Sequence, residues 1–305
     1  MSSKVYINNT ETNLLNSADM ATIEGQFAAE SARISGLEPT SLTFRKPFDI
    51  YMHQGLASNP KHIPPNTVPA FLEALKAGFD GMETDCRKTS DGVWVLAHDE
   101  TITGTVSGVS TTMTVAESTL AQLKTVLLNT STDYGDTYIA TLQEVLQLCK
   151  YTGMKMLLEY KGGSNPEGIA EVVMQTGTQG RIVYMLNHSY WSAIAAVDRN
   201  ASFAEVFFDL GSVTDFTPYT PFLTGSNTVG LDYLAATADS NSPDMTNIIA
   251  AQKAGLSVYY WGTSQNSHVA YFDTNPPGIT VMGTDVFTYL KTYLESKEAE
   301  LPSGS

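Results

Sequence analysis

The chain of 305 residues carries 17 Lys and Arg against 32 Asp and Glu, a formal charge of -15. That balance disfavours nonspecific attraction to nucleic acid or anionic lipid and makes a metal ion the more natural partner. The length is ordinary for an α/β barrel, and the 42% hydrophobic content supplies a core without any apolar run of eighteen or more residues that would cross a membrane.

Cys86 and Cys149 form neither a disulfide framework nor a zinc spacing, so both read as apolar packing. Charged residues are only 16%, against roughly 25% in typical domains, while Ser, Thr and Asn are plentiful. This leans towards an extracellular or virion-associated protein over a cytoplasmic one. The start, MSSKVYINNTETNLL, has neither the basic cluster nor the apolar stretch of a signal peptide.

Residues 1–46 read as a helical appendage. Ser17 caps a helix through Ser35, with Met20, Ile23, Phe27 and Ile34 near one face and Gly36 as its stop. It would plug the base of a barrel or serve attachment or oligomerisation. From residue 47 to 295, short β-like runs alternate with helical patterns, the signature of parallel strands joined by helices. The runs are 47–53, 80–86, 154–161, 181–186, 203–209, 228–232, 256–262 and 278–283. Eight such runs predict a TIM-type (β/α)8 barrel of the α/β class. TVPAFLEALKAG and TLQEVLQLCKYTG carry helical spacing and stop at Gly78 and Gly153. Residues 296–305 read as a flexible tail.

GVWVLAHDE at 92–100 follows the second run too closely for a parallel crossover, so it predicts the return arm of a β-hairpin inserted after that strand. With Asp91-Gly92 as a two-residue turn, Asp85 would face His98. Alternate side chains share a face of a strand, so Glu83 and Asp85 project together, and Glu159 and Lys161 repeat the pattern on the next parallel strand. His53, Glu83, Asp85, His98, Glu159 and Lys161 therefore all gather at strand ends, on the rim where barrel enzymes keep their chemistry. Converging carboxylates repel one another, and a hard divalent ion relieves the conflict; oxygen-only donors point to Ca2+ or Mg2+. Two flanking histidines could act as general base and general acid, with Lys161 neutralising an anionic substrate. Taken singly, each of these residues would be an ordinary loop or core residue, and His62, His188 and His268, without matched carboxylates, read as surface residues.

In order and spacing, HQG, PNTVPAFLEALKAGFDG, ETD, SDG, HDE, LLEYKG and VYYWGTS resemble the motifs of the glycerophosphodiester phosphodiesterases, over about residues 48–290. The resemblance implies that Glu83, Asp85 and Glu159 bind the metal, that His53 and His98 are the acid and base, that Lys161 contacts phosphate, and that Trp261 lines the substrate groove. Two positions depart from the family pattern: Gln54 stands for an arginine and Pro65 for a glutamate. Glutamine offers phosphate one neutral amide in place of a charged bidentate fork. The implied activity is metal-dependent hydrolysis of glycerophosphodiesters to an alcohol and a glycerol phosphate, through water or a vicinal hydroxyl of the substrate. The low charge and the appendage also suit a depolymerase of glycerol-phosphate polymers such as teichoic acids, in which Gln54 and Trp261 would serve a repeating ligand. A noncatalytic phosphate- or glycan-binding barrel is the reading from outside enzymology.

Overall fold

The computed structural model describes residues 5–7, 10–12, 49–55, 63–162, 168–187, 205–209, 228–234, 257–261 and 279–284, with side chains described for 51–55, 63–162 and 168–183. The chain divides into two compact units, Met1–Ser41 and Leu42–Ser305. In the first, β1 (Val5–Ile7) and β2 (Thr10–Thr12) form an antiparallel hairpin that the sequence pattern did not announce. The helix expected over Ser17–Ser35 and the tail at 296–305 lie outside the described residues.

The second unit begins with β3 (Asp49–Met52), α1 (Val68–Lys76), β4 (Gly81–Lys88) and β5 (Trp94–Leu96). There follow β6 (Thr101–Val106), β7 (Val109–Thr114), α2 (Leu120–Leu123), β8 (Asn129–Ser131) and β9 (Gly135–Thr137). Next come α3 (Leu142–Thr152), β10 (Lys155–Tyr160), α4 (Ile169–Thr176) and β11 (Ile182–Asn187). The last described strands are β12 (Glu205–Asp209), β13 (Thr228–Leu234), β14 (Ser257–Trp261) and β15 (Ile279–Thr284). β3, β4 and β10 to β15 pair in parallel. Because β15 returns to β3 and β10 joins both β4 and β11, the eight close into a barrel.

Each of the eight predicted runs contains or overlaps one barrel strand. The reason is burial on both faces: parallel strands covered by helices outside and side chains inside read as near-continuous apolar runs. Gly81 to Cys86 are buried throughout. α1 packs Ala70, Phe71, Leu72 and Ala74 inward, and α3 does the same with Leu142, Val145, Leu146, Leu148 and Cys149. At the start of α3, Thr141 and Glu144 exchange side-chain and backbone hydrogen bonds in a capping box, which satisfies N–H groups that would otherwise lack partners. Cys86 and Cys149 are buried free thiols; burial pushes Cys149 up to about 12, consistent with packing and not with nucleophilic chemistry. Among the described residues no helix is long and apolar enough to cross a membrane.

β5 is the expected return arm, antiparallel to β4, but its register corrects the expectation by one residue. Cys86 pairs with Leu96 and Lys88 with Trp94, so Asp85 stands opposite Ala97, whose N–H donates to the Asp85 carbonyl at 3.0 Å. The turn is three residues long, Ser90-Asp91-Gly92. Thr89 closes it by donating to Val93 O, and Gly92 takes the left-handed conformation at φ +84. A DG pair serves a two-residue turn, but it serves equally a type I turn followed by a left-handed glycine, and the extra residue shifts every facing pair.

The insertion continues beyond that hairpin. β6 and β7 pair through the two-residue turn Ser107-Gly108, and β8 pairs with β9. Val95, Ala97, Ile102, Val115, Leu123, Val126 and Ile139 form a separate small core beneath them. The alternation in TITGTV and VSTTMT around Ser-Gly was the available signal for the first of these hairpins.

Candidate active site

The chain leaves β3 through His53, Gln54 and Gly55. Gln54 and Gly55 both have positive φ, +50 and +83, which turns the chain back sharply. Position 55 admits only glycine: a Cβ there would lie 2.5 Å from the Phe71 ring. The Gln54 carbonyl then accepts the Asn66 N–H at 2.9 Å, which ties the turn to the segment leading into α1.

On β4, Glu83 and Asp85 alternate with Thr84, and the parallel register sets Glu159 of β10 directly beside Asp85. Carboxylate oxygens of Glu83, Asp85 and Glu159 lie within 4.8 Å of one another, an arrangement able to hold one metal ion. Glu83 and Asp85 are each 1% exposed, and Glu159 is partly open to solvent. The strongest cation contacts come from Lys161, just past β10. Its Nζ lies 2.5 Å from Glu159 Oε1 and 3.5 Å from Asp85 Oδ1.

Burial, then the charges of Asp85 and Glu159, drives the Glu83 carboxyl well above its ordinary value, although the Gln54 N–H donates to Oε2 at 3.0 Å. Burial pulls Lys161 down, but the Glu159 charge and hydrogen bond, followed by Asp85 and Glu83, overcome it and leave the ammonium raised. The site is thus short of positive charge by its own construction.

His53 Nε2 approaches Glu83 Oε2 at 3.7 Å. His98 sits one residue beyond the Asp85–Ala97 pair, about half exposed, with Nδ1 at 2.9 Å from Asp99 Oδ1. Its main chain is fixed from β4: Arg87 donates to the His98 carbonyl from Nε at 3.0 Å and Nη2 at 2.7 Å. Both histidines line one cleft of about 470 Å³, together with Gln54, Pro65, Asn66 and Ile139. The structure therefore gathers His53, Gln54, Glu83, Asp85, Glu159 and Lys161, and brings His98 to the same cleft. Trp261 ends β14, its side chain lying outside the described residues, as do His62, His188 and His268.

Two features escaped the sequence reading. The Gln54 side chain, 8% exposed, donates from Nε2 to Asp85 Oδ2 at 2.9 Å. Asn66, 3% exposed, donates from Nδ2 to the same oxygen at 3.0 Å. Asn66 stands within PNTVPAFLEALKAGFDG with no role of its own read from the sequence; it adopts a positive φ of +57, which asparagine tolerates.

Comparison with known proteins bears on this geometry. The profile of the glycerophosphoryl diester phosphodiesterase family matches residues 53–285. The chain belongs to that family. The glycerophosphodiester phosphodiesterase of Caldanaerobacter subterraneus subsp. tengcongensis is 33% identical over 118 residues, 37% of this chain and 45% of that protein. Human glycerophosphodiester phosphodiesterase 1 is 33% identical over 105 residues, 32% of this chain and 30% of that protein. This chain thus spans less than half the length of either relative. An Oleispira antarctica phosphodiesterase, solved in complex with the product sn-glycerol-3-phosphate, superposes with a TM-score of 0.60 at 17% identity, over 81% of this chain and 96% of that one. A likeness at that identity shows the shared barrel fold.

Proposed function

We propose that this chain hydrolyses glycerophosphodiesters to an alcohol and a glycerol phosphate, with one divalent cation, Ca2+ or Mg2+, held by Glu83, Asp85 and Glu159. The observation that carries the reading is the convergence of three carboxylates within 4.8 Å beside a cleft lined by two histidines. The donor set suits a hard cation: all three ligands are oxygen, and two are buried in a place where their charges otherwise repel. When bound, such an ion stabilises negative charge on the phosphoryl oxygens.

The chain's own residues supply the rest. Lys161, already held over Glu159 and Asp85, places a second positive charge where an anionic phosphate would sit. His98 turns Nδ1 to Asp99, so proton transfer falls to Nε2, and the Arg87 grip on its carbonyl holds the ring at the cleft. His53 presents Nε2 towards Glu83, across the same cleft. One imidazole accepts a proton from the attacking water, or from a vicinal hydroxyl whose cyclic phosphate water then opens, while the other donates to the departing alcohol. Beyond His98 the wall is Leu96, Ile102, Leu128 and Ile139 with Asp99, Thr101 and Thr103, which leaves room for the departing alcohol.

The test is turnover of a soluble glycerophosphodiester such as glycerophosphocholine, assayed for released alcohol and glycerol phosphate. Chelation is expected to abolish it and added Mg2+ or Ca2+ to restore it. Full turnover after rigorous chelation, with no ion bound to the purified protein, would sink the reading.

A further inference from the structure

We propose that Gln54 and Asn66 are positioning residues that confine Asp85 to a single ligand oxygen and thereby bias the carboxylate site towards a small, strictly octahedral cation over Ca2+. The inference rests on the metal reading given above, and concerns a position where this chain departs from the arginine of the family motif.

Asp85 Oδ2 accepts two amide N–H groups, from Gln54 Nε2 at 2.9 Å and Asn66 Nδ2 at 3.0 Å. Oδ1 is the oxygen turned to Lys161, at 3.5 Å. The two donors are themselves locked. Asn66 Oδ1 accepts from Thr84 Oγ1 at 2.7 Å and from the Asp85 N–H at 3.2 Å, and the Asn66 N–H donates to the Gln54 carbonyl at 2.9 Å. The Gln54 N–H donates in turn to Glu83 Oε2. Gln54, Asn66, Glu83, Thr84 and Asp85 are all buried, so water offers the amides no ready alternative. A carboxylate with one oxygen saturated by two fixed donors cannot rotate to chelate an ion through both. Ca2+ accepts bidentate carboxylates and irregular shells readily, whereas Mg2+ demands near-ideal octahedral geometry from single oxygens. Partners that orient a ligand in this way typically change metal affinity about 10- to 100-fold when removed.

Gln54 therefore serves the reaction through Asp85, and the neutral amide does so without adding a charge that would compete with the cation. An arginine at position 54 would bring such a charge.

The experiment is calorimetric titration of the metal-free protein with MgCl2 and, separately, CaCl2, for the native chain, Gln54→Met and Thr84→Val. Methionine keeps the length of glutamine and removes the donor. Mg2+ affinity of Gln54→Met is expected to fall about 10- to 100-fold, with a clearly smaller loss for Ca2+, so that the preference shifts towards Ca2+. Thr84→Val, which loosens Asn66 without touching Gln54, is expected to shift it the same way by about 2- to 10-fold. It also carries the test if Gln54→Met shows no cooperative unfolding transition. Unchanged affinities, or equal losses for both ions, overturn the proposal while leaving the metal reading intact. A native chain that binds neither ion overturns both.

Discussion

The floor of the site and its rim are built on opposite plans. On the floor, Glu83, Asp85, Gln54 and Asn66 are buried and interlocked by hydrogen bonds, and the remaining strain is electrostatic. On the rim, His98 and Asp99 are 51% and 80% exposed, fixed through the main chain and carried by an insertion with its own small core. Charges meant to hold a cation gain from desolvation, which strengthens their pull, whereas a group that must exchange protons gains from contact with water. Stability and catalysis should therefore respond differently to damage in the two places.

The largest expected effect separates the two histidines. His53→Ala and His98→Ala should each lower kcat by about 10²- to 10⁴-fold, the usual contribution of a positioned acid or base. Only His53→Ala, beside the buried Glu83, should also alter folding. His98→Ala should leave stability within about 0.5 kcal/mol, as surface substitutions do, while His53→Ala removes the imidazole that lies 3.7 Å from the buried Glu83 carboxylate. Steady-state kinetics with thermal denaturation of both variants decides this. Near-native kcat in either would reduce that histidine to a positional role.

A second, intermediate effect lies in pH. In the metal-free protein Glu83 titrates well above its ordinary 4.5, so between that value and its folded pKa the native state holds a proton that the unfolded chain has released. Stability from this group is complete below pH 4.5 and is lost as pH rises through the raised value. Lys161, raised from 10.5, keeps its contribution until still higher pH and does not offset the loss. The Tm in chelator should thus fall with rising pH, and saturating Mg2+ should flatten the slope, because a bound cation favours the ionised carboxylate. A rising Tm in chelator would mean that Lys161 alone neutralises the floor.

The smallest effect should come from the hairpin turn. Gly92→Ala meets no close atom, with Lys88 Cε the nearest at 3.9 Å, so its cost is the left-handed backbone alone, about 1–2 kcal/mol. It should lower kcat by loosening His98 while leaving cation affinity as it was. A loss of cation affinity equal to the loss of kcat would show floor and rim to be one cooperative body.

The sequence made the floor's charges legible because a strand's alternation is rigid: Glu83 and Asp85 cannot share one strand without sharing a face, and the next parallel strand brings Glu159 alongside. The barrel was legible for a related reason, since strands buried on both faces leave no polar alternation to mislead. The hairpin register was not, because Asp91-Gly92 fits two turns that differ by one residue, and only the conformation of Gly92 selects between them. Gln54 was read as a substrate contact, and its side chain also donates to Asp85; nothing in HQG says whether a side chain at a left-handed position turns inward. Asn66 follows two prolines, where an asparagine reads as a turn former, and only its burial reveals a donor aimed at a carboxylate. The insertion hairpins of 101–137 are local pairings whose polar faces hid a weak alternation.

Arg87 has a further consequence. It sits on β4 two residues beyond Asp85 and four beyond Glu83, and its guanidinium grips the His98 carbonyl. Two carboxylates and the anchor of a histidine are thus graduations on a single ruler, spaced by a strand that rises about 3.3 Å per residue. A barrel can breathe by shear between strands, and loops can sway, without altering a distance measured along one strand. The spacing between the two carboxylates and the residue that anchors His98 is in this sense a property of the strand, set before any ligand arrives.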